Sequence, residues 1–90
     1  MRKLVEIPCD IGDTIYEIIV CDSDKEVWCD SYIVEDISLK AIKFGDDWKN
    51  RSEMGTSIFL NKEDAVDKFE KLKTIEKLKS YKFLYENIEV

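Results

Sequence analysis

The stretch GTSIFLNKEDA, residues 55–65, predicts a short strand that runs directly into a helix. Residues 56–59 are mostly strand-forming types, and Gly55 before them indicates a turn. Asn61 is a preferred N-cap, because its side-chain oxygen accepts hydrogen bonds from the free amides of the first helical turn. Asp64 lies three positions further on, like the acid of a capping box, and it places negative charge at the positive end of the helix dipole.

The residues that follow this stretch have the period of a helix. Apolar side chains recur at steps of three and four positions, which places them on one helical face. Most of the lysines fall off this face, so we expect them to be solvated. The sequence therefore predicts an amphipathic C-terminal helix over about 62–79. Its apolar stripe consists of Ala65, Val66, Phe69, Leu72, Ile75 and Leu78.

The first 60 residues have the pattern of strands separated by polar turns. Residues 14–21 are largely apolar at both odd and even positions, which predicts a central strand covered on both faces. Residues 32–44 are too long for an average strand, so we expect a bend near Glu35. Gly45 and the two aspartates after it are typical of a hairpin turn. Pro8 limits any strand in residues 1–11 to a sheet edge or a lead-in.

The fold class that follows is α+β, in one domain over residues 1–90. We expect a small antiparallel sheet or SH3-like barrel, with its strands in residues 1–60, closed by the C-terminal helix. Residues 80–90 form an aromatic tail with three open alternatives: an extension of the helix, a last strand or a packed tail. No apolar run approaches the ~18 residues of a membrane span, and no signal peptide is visible, so the predicted location is cytoplasmic.

The net charge of −6 is unevenly distributed along the chain. Residues 1–60 contain 13 acidic and 7 basic residues, whereas residues 61–90 contain seven of each. This distribution argues against direct nucleic-acid binding, which depends on neutralising phosphates. An acidic surface suits a basic protein surface instead. The alternative, that the acidity only keeps a small protein soluble, stays open.

The residue types offer little for catalysis. The chain has no histidine, the usual general base near neutral pH, and its three glycines form no phosphate-binding loop. We therefore predict that it is not an enzyme and has no catalytic residues. Cys9, Cys21 and Cys29 lack the spacing of zinc ligands, so we expect buried or incidental thiols and no metal site or cofactor. A metal- or ligand-binding module that uses these cysteines stays as an alternative.

The aromatic residues indicate a different kind of site. Trp and Tyr are over-represented at interface hot spots, although they also serve to cover the open ends of a small sheet. Combined with the acidic residues before position 61, they define a predicted partner-binding set. The set comprises Asp22, Asp24, Glu26, Asp30, Glu35, Asp36, Asp46 and Asp47 with Trp28, Trp48, Tyr81 and Tyr85.

Two separated stretches resemble one protein family. Residues 7–16, IPCDIGDTIY, are similar to the opening pattern I-P-C-x-V-G-D-T-V-Y, and residues 55–65 are similar to the closing pattern G-K-x-V-F-L-T-x-E-E-A. These patterns occur in largely uncharacterised small proteins of phages, prophages and mobile elements of clostridia and related Firmicutes. Asn61 stands where the family has threonine, and the tail after about residue 79 is longer than the usual ending. The resemblance implies an architecture and a bacterial host cell, but no reaction.

The functional hypothesis is a non-enzymatic phage or mobile-element accessory protein that acts by protein–protein interaction. In its sharper form it is an acidic inhibitor of a host defence nuclease, of the anti-CRISPR or antirestriction type. Its acidic residues would then occupy a basic nucleic-acid channel of that partner. The alternatives are a cysteine-based metal or ligand module, a purely structural phage accessory protein, and nucleic-acid binding through the lysine-rich helix. The partner and the oligomeric state are not determined by the sequence.

Overall fold

A computed structural model describes residues 9–89 of the chain, and the predicted lead-in around Pro8 lies outside them. Seven strands and one α-helix occur in this part of the chain, together with single 3₁₀ turns at Arg51–Glu53 and Glu76–Leu78. The elements are β1 (Thr14–Cys21), β2 (Glu26–Ile33), β3 (Asp36–Ile37), β4 (Ala41–Phe44), β5 (Asp47–Asn50), β6 (Ile58–Phe59), α1 (Lys62–Leu72) and β7 (Lys82–Glu86).

The strands form two open sheets. The larger sheet has the order β6-β1-β2-β7, and the smaller, which we call the second sheet, has the order β3-β4-β5. Neighbouring strands are antiparallel except β2 and β7, which are parallel. The α+β class is therefore confirmed. The described strands do not close into a barrel, so the SH3-like form is not confirmed, and the larger sheet is mixed rather than wholly antiparallel.

The hairpin of β1 and β2 carries both hydrophobic cores of the described chain. Its register joins eight residue pairs, from Thr14 with Ile33 to Cys21 with Glu26. Because side chains alternate along a strand, each face of the hairpin meets a different cluster. The helix-side core comprises Ile18, Val27, Cys29, Phe59, Ala65, Phe69 and Leu78. The second-sheet core comprises Cys9, Ile15, Val34, Ile42, Phe44 and Ile58.

Strand β1 is central for only part of its length. Ile15 and Ile18 are buried, but Ile19 and Val20 are 39% and 43% exposed. The prediction of a strand covered on both faces is therefore wrong at Ile19 and Val20. Elements that are distant in sequence bury the apolar side chains of β1, so the apolar pattern of the strand itself does not show where this burial ends.

Helix α1 begins as predicted and ends earlier. The Asn61 side-chain oxygen accepts hydrogen bonds from the amides of Glu63 and Asp64, at 2.7 and 3.4 Å. The last helical residue is Leu72, so the predicted helix over 62–79 is seven residues too long. The Thr74 hydroxyl donates to the Lys71 carbonyl at 2.7 Å, a local bond that competes with helix continuation.

The end of the helix changes which apolar residues are buried. Ile75 adopts an extended backbone, with φ −76° and ψ 127°, and its side chain is 46% exposed. Leu78, three residues later, is buried in the helix-side core. The change of direction after Leu72 buries the Leu78 side chain and returns the chain to the larger sheet. A straight helix to residue 79 would not allow this return.

Two predicted turns are confirmed. The chain leaves β2 after Ile33 and enters β3 at Asp36, which is the expected bend, but the chain also reverses direction at residues 38–40, where the sequence predicted a continuous extended run. Gly45 and Asp46 have φ values of 58° and 61°, the conformation of a type I′ hairpin turn. A Cβ atom at Gly45 would lie 3.0 Å from Cε1 of Tyr32, so this position needs glycine for both its backbone and its space.

The aromatic tail forms a last strand. β7 pairs with β2 from Lys82 opposite Glu26 to Glu86 opposite Asp30. The Phe83 and Tyr85 rings pack on Phe69, with centroids 5.2 and 4.6 Å away. Of the three alternatives for residues 80–90, pairing as a strand is therefore the one adopted by 82–86. Within the described part of the chain, no helix has the length and apolar character needed to cross a membrane.

Substitution of the helix cap is expected to lower stability measurably. In Asn61→Ala the first-turn amides lose their acceptor, which should reduce the free energy of unfolding by about 0.5–2 kcal/mol. Asn61→Asp keeps an acceptor and adds a favourable charge at the helix N-terminus, so it serves as the matched control. Urea unfolding followed by far-UV circular dichroism measures both. Equal stability of the two variants would contradict the assigned capping role.

Candidate protein-binding face

A partly exposed apolar row, outside both hydrophobic cores of the described chain, crosses three strands of the larger sheet. Ile19 of β1 lies opposite Trp28 of β2, which lies opposite Leu84 of β7. These side chains point away from α1, and none of them belongs to either hydrophobic core. Trp28 and Leu84 are half-buried, and the Trp28 Nε1–H donates to Glu26 Oε1 at 3.2 Å. We call this side of the sheet, around the row, the open face.

The open face exists because the second sheet is short. Its strands have only two to four residues, and the second-sheet core includes Ile15 from β1 but not Ile19. The tip of the β4–β5 hairpin stops against Tyr32, where Gly45 fits closely against the ring. A hollow of about 200 Å³ lies at this boundary. It is lined by Glu17, Ile19, Tyr32, Phe44, Gly45, Asp47 and Lys49.

Charged rows border the apolar row on both sides. Glu17, Asp30 and Glu86 lie opposite one another on β1, β2 and β7 and form an acidic row. It lies two positions along each strand from the apolar row, a rise of about 7 Å. On the other side, Glu26 lies opposite Lys82. The apolar row is therefore a strip with carboxylates on both flanks.

Neighbouring groups offset the repulsion within the acidic row. Like charges directly opposite each other destabilise a sheet. The Asp30 carboxylate accepts hydrogen bonds from the Ser31 amide at 2.8 Å and from the Asn87 side-chain amide at 3.0 Å. Glu17 lies 3.5 Å from the Lys49 ammonium group, which also lies 3.6 Å from Asp47. One lysine thus serves two carboxylates.

Glu17 is the buried charge at the boundary of the open face, and the whole residue is only 8% exposed. Burial raises the pKa of its carboxyl group above 4.5, although Lys49 acts in the opposite direction. The pKa of Lys49 is raised above its ordinary value, chiefly by Glu17. Both pKa values rise because Glu17 bears most of the desolvation: its side chain is 10% exposed, whereas that of Lys49 is 32% exposed. Burial, with Asp30 and Glu17 nearby, also raises the pKa of Tyr32 to about 12.

Some predicted partner-binding residues gather on or beside the open face. Glu26, Trp28 and Asp30 alternate along β2, so they project on the same side of the sheet. Asp47 lies at the edge of the open face, where its carboxylate is 3.6 Å from the Lys49 ammonium group. At the same hairpin tip, the Asp46 amide donates to Glu35 Oε2 at 3.2 Å.

The remaining predicted residues lie elsewhere. Asp22 and Asp24 are in the β1–β2 turn. Asp36 lies opposite Lys43, which lies opposite Trp48, so Asp36 and Trp48 share one side of the second sheet, opposite to the side of Lys49. Tyr81 and Tyr85 pack against the helix-side core. Their partner-binding roles stay predictions.

The hydroxyl groups of the two tyrosines are used within the fold. Tyr81 donates to Asp22 at 2.6 Å, a bond that lowers the pKa of this aspartate. Tyr85 donates to Glu70 at 2.9 Å, and with Lys73 this bond lowers the pKa of Glu70. Both tyrosines therefore connect distant parts of the chain to β7 and the segment before it.

Five residues that build the apolar row and its charged flanks were not among the predicted partner-binding set: Glu17, Ile19, Lys82, Leu84 and Glu86. A carboxylate at position 17, in the middle of an apolar strand, was a visible signal that one side of β1 meets polar groups. Leu84 and Glu86 join the face only because β7 pairs with β2, and residues 80–90 do not specify that pairing by themselves.

The three thiols lie in three different places. Cys9 belongs to the second-sheet core, Cys29 to the helix-side core, and Cys21 to the end of β1. Burial raises the pKa of Cys29 to about 11 and also raises that of Cys9, so neither is an activated thiolate. Within residues 9–89, no three or more Cys, Asp or Glu side chains are grouped so as to hold a metal ion.

Removal of the Lys49 charge is expected to destabilise the protein in a pH-dependent way. Lys49→Gln leaves the Glu17 carboxylate buried without its cation, which should cost about 1–3 kcal/mol of unfolding free energy at pH 7. The cost should shrink as the pH falls through the raised pKa of Glu17, because the protonated group needs no cation. Stability that depends on protonated Glu17 is present below the unfolded-state pKa and is lost as the pH rises through the folded-state pKa.

Urea unfolding from pH 4 to pH 8 measures this effect. Glu17→Gln combined with Lys49→Gln should recover most of the loss, because no charge is left buried. Lys43→Gln is the matched control, since Lys43 and Glu35 are exposed and 4.0 Å apart, and it should change stability by less than about 1 kcal/mol. A Lys49→Gln penalty that is the same at every pH would contradict the role assigned to Glu17.

Comparisons with protein-family models, with curated proteins and with solved structures found no match to this chain.

Proposed function

We propose that this chain is a non-enzymatic phage or mobile-element accessory protein that binds a basic protein surface through the open face. The observation that carries the proposal is the apolar row Ile19–Trp28–Leu84, exposed at Ile19 and half-buried at Trp28 and Leu84, with carboxylates on both flanks. An aromatic anchor surrounded by a polar rim is the usual composition of a protein-binding hot spot. A strip of this kind loses apolar exposure when a partner covers it.

The charges around the strip favour a cationic partner. The side chains on or beside the open face include two ammonium groups, and Lys49 is already engaged by two carboxylates. A surface with this excess of negative charge attracts a basic partner and repels nucleic acid. The charged residues are the acids Glu17, Glu26, Asp30, Asp47 and Glu86 and the bases Lys49 and Lys82.

In its sharper form, the proposed partner is a host defence nuclease and the protein is an inhibitor of the anti-CRISPR or antirestriction type. Channels that hold single-stranded nucleic acid combine basic groups for the phosphates with surfaces that accept flat bases. Carboxylates beside the Trp28 ring offer both kinds of contact. The protein would then occupy the channel in place of the nucleic acid.

The other hypotheses gain no support from a particular contact. Cys29 and Cys9 lie in cores on opposite sides of the sheet, and Cys21 lies at the far end of β1 from Ile15, so a common ligand site for them would need a rearranged fold. Four of the six lysines between residues 62 and 79 have a carboxylate within 4.0 Å: Lys71, Lys73, Lys77 and Lys79. A helix with this balance of charge is a weak phosphate-binding surface.

Trp28→Ala is expected to weaken partner binding by about 30-fold, the effect of losing a hot spot worth ~2 kcal/mol. Asp47→Lys should slow association and reduce the salt dependence of binding. The probes are purified CRISPR-associated and restriction nucleases of Firmicutes, tested by biolayer interferometry at low and high salt and by DNA cleavage.

Asp67→Lys on α1 is the matched control. Its carboxylate is as exposed as that of Asp47, at 67% against 70%, and each contacts one lysine, but Asp67 lies on the helix side. This variant should bind and inhibit like the unmodified protein. Binding that is insensitive to Trp28→Ala would exclude the open face as the contact, and a protein that neither binds nor inhibits any of these nucleases contradicts the inhibitor form.

A further inference from the structure

Strand β7 is an edge strand of the larger sheet in the described part of the chain. It pairs with β2 on one side, and within residues 9–89 no strand lies along its other side. The Lys82 amide donates to the Lys25 carbonyl at 2.9 Å, so residues 82, 84 and 86 direct their backbone groups towards β2. By alternation, the N–H and C=O groups of Phe83 and Tyr85 point towards the free edge. Such an edge is a template for another strand.

The sequence of β7 is complementary to itself when read in the opposite direction. We propose that β7 pairs antiparallel with β7 of a second copy of this chain, about a two-fold axis at Leu84. In the segment KFLYE, Lys82 then lies opposite Glu86 of the second copy, Phe83 opposite Tyr85, and Leu84 opposite Leu84. The Lys82–Glu86 and Phe83–Tyr85 contacts each occur twice because the interface is isologous, and the Leu84 contact occurs once, on the axis.

The backbone geometry agrees with this axis. Phe83 and Tyr85 of opposite copies become hydrogen-bonded pairs that exchange their free amide and carbonyl groups, which makes four hydrogen bonds in all. Leu84 and the two Lys82–Glu86 pairs occupy non-hydrogen-bonded positions, where opposing side chains lie closest in an antiparallel ladder. All the charged pairs therefore lie on the open face, where their side chains have room.

The charges select one register. A shift of two residues places Lys82 or Glu86 opposite Leu84, and an in-register parallel arrangement places like charges beside each other. Within one chain, Glu86 lies opposite the like-charged Asp30, and no ion pair joins Lys82 or Glu86 to another described residue. The second copy would supply the cation for Glu86 that the sheet of its own chain does not.

The dimer would have a continuous eight-stranded sheet. The two apolar rows would meet at the axis, so that Ile19, Trp28 and Leu84 of one copy continue into Leu84, Trp28 and Ile19 of the other. Contact through a five-residue strand is smaller than most stable interfaces, so the dimer should dissociate on dilution. The proposal is independent of the partner suggested above, because its test requires only the purified chain.

Charge exchange at the two ends of β7 tests the pairing. Glu86→Lys and Lys82→Glu each create like-charge pairs at both ends of the interface, and each should raise the dimer dissociation constant about tenfold or more. The double variant Lys82→Glu with Glu86→Lys restores opposite charges across the axis and should return the constant close to that of the unmodified chain. Sedimentation velocity over a concentration series measures all four proteins.

Matched controls separate this effect from net charge and misfolding. Glu89→Lys makes the same change of net charge outside β7 and should leave dimerisation unchanged. Glu86→Lys replaces the like charge opposite Asp30 by an opposite one, so the monomer should stay folded by far-UV circular dichroism. A chain that is monomeric up to its solubility limit, or a Glu86→Lys variant that dimerises equally well, would overturn the proposal.

A cysteine on the axis provides an independent test. Leu84→Cys, made together with Cys21→Ser, should form a disulfide-linked dimer under air, because the Cα atoms of a non-hydrogen-bonded antiparallel pair lie about 4.5 Å apart, which is within the Cα–Cα range of disulfides. Ile33→Cys in the same background is exposed but far from the axis and should remain reduced. A dimer in solution without cross-linking at residue 84 would place the interface elsewhere.

Discussion

The β1–β2 hairpin separates two hydrophobic cores, and the other elements pack on one of its faces or pair with its edges. Ile18, Val27 and Cys29 face α1, whereas Ile15 faces the second sheet. A shift of one residue in the hairpin register would exchange these two sets of side chains. Because both faces need apolar residues at defined positions, the register of this single hairpin determines where α1 and the second sheet pack.

Residues 9–89 do not bury the whole of the β1–β2 hairpin. The second sheet has strands of two to four residues and covers only the end of the face near Ile15. The boundary falls at Glu17, a carboxylate that is buried but keeps a cation 3.5 Å away in Lys49. Beyond that boundary the same side of the sheet presents Ile19, Trp28 and Leu84. The open face is thus a consequence of how far the second sheet extends.

The open face and the free edge of β7 are adjacent but distinct surfaces. The face offers side chains to a partner, whereas the edge offers backbone hydrogen bonds to another strand. Leu84 belongs to both, since its side chain lies in the apolar row and its position lies at the centre of β7. Two chains joined at their edges would present one wider face, with the acidic row Glu17, Asp30 and Glu86 repeated on either side of the axis. A partner with matching two-fold symmetry would suit such a surface.

The sequence by itself determined the features that depend on neighbouring residues. The cap at Asn61, the hairpin turn at Gly45 and the bend before β3 each require only a few consecutive side chains and backbone groups, so they were predicted correctly. The α+β class followed from the order of strand-like and helix-like periods. Part of the candidate site was also accessible, since alternation places Glu26, Trp28 and Asp30 on one side of a strand.

Only the tertiary structure decided the features that join distant residues. The helix ends at Leu72 because the chain must bury Leu78 and return to β2, and the Tyr81–Asp22 bond spans 59 positions. The parallel pairing of β7, and with it the places of Leu84 and Glu86 on the open face, depends on contacts made across the sheet. Apolar periodicity predicts which side chains are buried, but packing over the whole chain determines which elements bury them.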